Sequence, residues 1–170
     1  MMNMDLKERL GGGDLRSIGE ANKVADEIDS QERFDSLFDC LHEKDRLIVM
    51  RAADAIEKIT LARPEYLSRH KDETINFCSS KTNIEFKWHL ALLLSRLSLS
   101  AKEQRIVFGI LKKWTLDPKE SKIVRVNALQ SLYELSKQYE TFKGDFYSVV
   151  SAVEKENVPS LTARIKKLKL

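Results

Sequence analysis

The stretch IVMRAADAIEKIT (48–60) returns in outline as EFKWHLALLLSRL (85–97), as KIVRVNALQSLYEL (122–135) and as a shorter, degenerate SLTARIKKLKL (160–170). With Arg51, Lys87, Arg125 and Arg164 set in register, the copies stand 36, 38 and 39 residues apart. Self-similarity at that period is the mark of stacked helix pairs. One pair buries too little apolar surface to fold alone, whereas a stack shares a continuous core. The pattern therefore predicts an all-α chain, a right-handed α-solenoid of about four helix pairs.

Composition agrees with that reading. Of 170 residues, 42% are hydrophobic and 32% charged, and only three prolines and six glycines interrupt the chain. Three of those glycines are Gly11, Gly12 and Gly13, so residues 1–13 read as a short frayed helix and a flexible joint, with 14–170 as a single repeat domain. The longest apolar run, LALLLSRLSL, is far below the ~20 residues a membrane span needs, and the charged N-terminus does not resemble a secretory leader. A cytoplasmic protein without membrane contact is expected. Cys40 and Cys78 stand one repeat apart on apolar faces, which suits small buried hydrophobes better than a redox pair. Charge is uneven: residues 1–100 carry 15 basic and 18 acidic side chains, residues 101–170 carry 14 and 8.

Within the repeats the periodicity is that of amphipathic helices. Phe34, Leu37, Phe38 and Leu41 fall at i, i+3, i+4 and i+7. Asp14 is placed to cap a helix carrying Leu15, Ile18, Val24 and Ile28, with Arg16 35 residues before Arg51, as the second half of an incomplete first repeat. Thr82 with Glu85, and Ser100 with Glu103, have capping-box spacing. Asp117-Pro118 reads as a cap and first-turn proline. In EFKWHLALLLSRL apolar residues wrap most of the circumference, as in a helix covered on both sides. The last helix, with Arg164, Lys166, Lys167 and Lys169, has the polarity of an end cap.

The segment DRLIVMRAADAIEKI resembles the second helix of a HEAT repeat, with Asp45 at the inter-helix turn, Arg51 six residues on, and the small residues Ala52, Ala53 and Ala55 after it. The likeness extends over residues 30–170 and reaches towards 14, although Lys81, Lys119 and Val158 replace the turn aspartate elsewhere. The resemblance implies a structural ladder of the Asp45/Arg51 kind between repeats. It also implies a scaffold that binds protein along a concave face made by the second helices. A minority of similar proteins are enzymes, including alkylpurine DNA glycosylases and bilin lyases.

The polar faces of the second helices are thus the candidate surface. Arg51, Asp54 and Lys58 share one face of the first, and Asp54 and Lys58 have the favourable i,i+4 order. Glu85, His89 and Arg96, with Leu92, share a strip on the next. Asn127 and Gln130, with Glu134 and Lys137, lie on the third. Those strips are mixed in charge and suit a protein or peptide. A nucleic acid held by the basic C-terminal half, as in a HEAT-like DNA-binding or repair protein, is the second reading. Trp88 and Trp114 read as packed residues. No histidine or cysteine spacing suggests a metal, no glycine loop suggests a phosphate site, and no cofactor is expected. Convergence of Glu85, His89 and Asp54 into an acid–base grouping is a geometric possibility. A non-enzymatic binding scaffold is the expectation.

Overall fold

The computed structural model describes residues 2–12, 20–80 and 83–169. Among them are ten α-helices and no strand: α1 (Met2–Leu10), α2 (Ala21–Glu27), α3 (Gln31–Asp39), α4 (Arg46–Ala62), α5 (Lys71–Ser80), α6 (Ile84–Leu93), α7 (Ala101–Leu116), α8 (Lys122–Gln138), α9 (Lys143–Lys155) and α10 (Pro159–Lys167). The even-numbered helices form one layer, in which α2 packs on α4, α4 on α6, α6 on α8 and α8 on α10. Each odd-numbered helix packs on the even one that follows it, so the described residues make five pairs, with α1 completing a first pair.

The sequence dictates this layering through small and large apolar residues. In α4, Ala52, Ala53 and Ala55 are fully buried beside Ile56, which lets neighbouring helices approach closely. In α6, Phe86, Leu90, Ala91 and Leu93 are buried because α4 and α8 cover it on two sides and α5 packs on it as well. At the far end, α10 buries only Leu161 and Ile165 within its length and keeps its cations outward.

The N-terminal segment departs from the sequence reading. Rather than fraying, α1 packs into the core through Leu6 and Leu10, each burial contributing about 1.5–3 kcal/mol. Gly12 adopts φ +74, the left-handed conformation that ends a helix and favours glycine. The flexible joint is thus a helix terminus as far as Gly12. Gly13, Asp14, Leu15, Arg16 and Ile18 lie outside the described residues, and so does the proposed domain boundary.

Other element ends match in part. Ser100 and Glu103 form the capping box of α7. Asp45 caps α4 by accepting from the Leu47 amide at 2.8 Å. Thr82 is outside the described residues, and Asn83 precedes α6 without a side-chain cap. Asp117 does not open a helix. It ends α7, and its Oδ1 accepts from the Lys119 amide at 2.9 Å in a turn that carries Pro118. An aspartate two residues before an amide makes that turn as readily as it makes a helix cap.

Candidate interaction surface

Three of the four cations that define the repeat are structural. Arg51 is 2% exposed, and its Nη1 donates to the carbonyls of Leu10, Gly11 and Gly12 at 2.8, 3.0 and 2.6 Å. It thereby closes the C-terminus of α1, where backbone acceptors have no helical partner. Arg125, equally buried, donates from Nε to the Thr115 carbonyl at 2.8 Å and grips both oxygens of Glu156 from Nη2. Lys87 pairs with Glu120 and lies 4.7 Å from the Trp114 ring centre. All three positions tie helix ends or inter-helix turns together. Asp45 is the helix cap described above.

The other expected site residues mostly stitch the even-numbered layer. Asp54 pairs with Lys58, whose ammonium also reaches Asn22 on α2. Glu85 pairs with Arg46, which holds its carboxyl below the usual carboxylate range. His89 is buried, and its Nδ1 meets Glu57 and not Asp54 or Glu85, so the imagined acid–base grouping does not form. Arg96 donates to the Glu57 carbonyl at 2.5 Å and to the Thr60 hydroxyl at 2.8 Å, and burial lowers its pKa. Asn127 donates to the Trp88 carbonyl at 2.9 Å. Gln130 donates to Glu134 and accepts from Arg164. Arg51 and His89 are too buried to meet a partner directly.

Between these ties the even-numbered face is grooved. A groove of about 690 Å³ runs over α4, α6 and α8, and it brings Arg96 and Gln130 together with Glu57, Leu61, Leu92 and Glu134. Leu61 is 70% exposed there. Two smaller grooves lie on the same layer, one between α2 and α4 beside Lys58 and one between α8 and α10 beside Asn127. The sequence reading omitted Leu61 because a leucine at the end of an amphipathic helix looks like a core residue. Only its place beyond the neighbouring helices leaves it bare.

Little here offers other chemistry. Among the described residues no group of three or more His, Cys, Asp or Glu is placed to hold a metal ion, and no buried side-chain polar atom lacks a partner. Burial pushes the Cys40 and Cys78 thiols up to about 11 and about 12. No helix of the described residues is long and apolar enough to cross a membrane.

Paired helices stacked into two layers, with a grooved face on one of them, define an α-solenoid repeat protein. The family profile of the HEAT repeat domain matches residues 2–169. The chain belongs to the HEAT-repeat family, whose members serve in general as non-catalytic scaffolds for protein–protein interaction. No curated protein and no solved structure matches the chain.

Proposed function

We propose that the protein is a non-enzymatic scaffold whose even-numbered helices form a concave face that receives a protein or peptide. The observation that carries this reading is the groove over α4, α6 and α8, where the exposed Leu61 stands beside Leu92 with Glu57, Gln130 and Glu134 around it. An apolar anchor ringed by amides and carboxylates is suited to a side chain that brings both contact area and hydrogen bonds. Glu57 and Glu134 outnumber Arg96 in the same groove, a balance that disfavours phosphates and sets this reading above a nucleic-acid one.

Of the eight residues first singled out, Arg96 and Gln130 shape the groove, and Asp54, Lys58, Glu85 and Asn127 hold the helices that build the face. The test is affinity capture from lysate with nuclease present, comparing wild type with Leu61→Glu/Glu134→Lys. A specific partner held by wild type and released by the variant, at unchanged helicity, is the expected result. Capture that survives the variant, or that nuclease abolishes, would sink the proposal.

A further inference from the structure

The groove between α8 and α10 differs from the rest of the even-numbered face in its electrostatics. Its floor is Ile123, Val126 and Ala163, its rim is Lys122, Arg164 and Lys167, and its volume is about 470 Å³. Among the described residues no carboxylate lines it. Elsewhere on this layer most cations meet carboxylates: Arg46 meets Glu85, Lys58 Asp54, Lys87 Glu120, Arg125 Glu156 and Lys137 Glu134, while Arg63 and Arg96 are each held by a carbonyl and a hydroxyl. Lys122 and Lys167 form no ion pair with any described residue, and Arg164 meets only the neutral amide of Gln130. Ile123 is 50% exposed on the floor.

An apolar floor under unneutralised cations has a definite complement. We infer that the groove between α8 and α10 binds an acidic, amphipathic segment of a partner protein, with its apolar side chains on Ile123 and Val126 and its carboxylates on Lys122, Arg164 and Lys167. The inference rests on the scaffold reading above and names the partner's chemistry. Size agrees: α10, nine residues long, spans about 13 Å, room for about two turns of a partner helix. Three cations are few for nucleic acid, whose affinity grows with each phosphate neutralised, and a phosphate backbone would leave the floor uncovered. Charge complementarity of this kind sets specificity and association rate, and the apolar contacts slow release.

The test is selection of a random 12-residue peptide display library on the intact immobilised protein. The enriched pool is then assayed on wild type, on Lys122→Glu/Lys167→Glu, on Ile123→Asn and on Leu61→Glu/Glu134→Lys. All the altered side chains except Glu134 are exposed, and circular dichroism checks the fold of each variant. The expected pool is rich in Asp and Glu with Leu, Ile, Phe or Met at helical spacing. It loses tenfold or more in affinity on each of the two α8–α10 groove variants and keeps its affinity on the Leu61/Glu134 variant. A neutral or basic pool would overturn the inference. So would a pool lost only on the Leu61/Glu134 variant, although that result leaves the scaffold reading standing. Failure of any pool to enrich would count against both. A single-stranded 20-mer or phosphatidylserine vesicles bound as tightly as the pool at 150 mM salt, and released by Lys122→Glu/Lys167→Glu, would reassign the cations to phosphate.

Discussion

Arg125 shows how much one side chain of the repeat carries. Its guanidinium joins the end of α7, through the Thr115 carbonyl, to the end of α9, through Glu156. A guanidinium–carboxylate contact is a charge-assisted hydrogen bond, stronger than a neutral one. Taking it away leaves a backbone acceptor and a carboxylate without their donor in a half-buried site. Arg125→Met is therefore expected to destabilise the fold by about 2–3 kcal/mol in urea unfolding, with Arg125→Lys losing less because a single charge remains. An unchanged midpoint would mean that water replaces the guanidinium without loss. Arg51 plays the matching part at the other end of the molecule. The HEAT-repeat resemblance implied a structural role for both, whereas their partners were not legible. Leu10 and Gly12 lie before the repeats read in the sequence, whereas Glu156 stands 36 residues after Glu120, the partner of Lys87, a recurrence the reading passed over.

At the scale of the helix, the start of α7 joins local and long-range order. Glu103 accepts from the Ser100 amide at 2.6 Å and also pairs with Lys71 at the beginning of α5. The Ser100 amide, then Lys71, hold its carboxyl down to about 2. The folded-state value lies below the ordinary one, so the contribution is complete above about pH 4.5 and fades as pH falls towards 2. Glu103→Gln should flatten the acid limb of stability against pH, with variant and wild type converging near pH 2. Parallel curves across that range would refute the assignment. The capping box was readable because both partners lie within four residues. So was the enclosure of α6, since an all-round apolar circumference needs neighbours on both sides. Asp117 was misread because turn and cap use the same chemistry. The role of α1 was missed because the three glycines suggest freedom, while the burial of Leu6 and Leu10 depends on helices far along the chain.

Taken whole, the molecule is a line of pairs in which each even-numbered helix touches mainly those before and after it. In such an array stability is greatest where neighbours lie on both sides and falls towards the ends. Amide exchange should accordingly be slowest in α6 and α8 and faster in α10, which buries few side chains. Uniform protection from α4 to α10 would show a single cooperative block instead. The enclosure of α6 has one more consequence, and it concerns synthesis. As the chain is made, α6 is complete at Leu93, whereas the helix that covers its far side ends at Gln138, 45 residues later. At about 5–20 residues per second, Phe86, Leu90 and their neighbours wait about 2–9 s for that cover. For that interval the growing polypeptide carries its greasiest helix uncovered on one side, a surface that chaperones attending the ribosome are built to shelter.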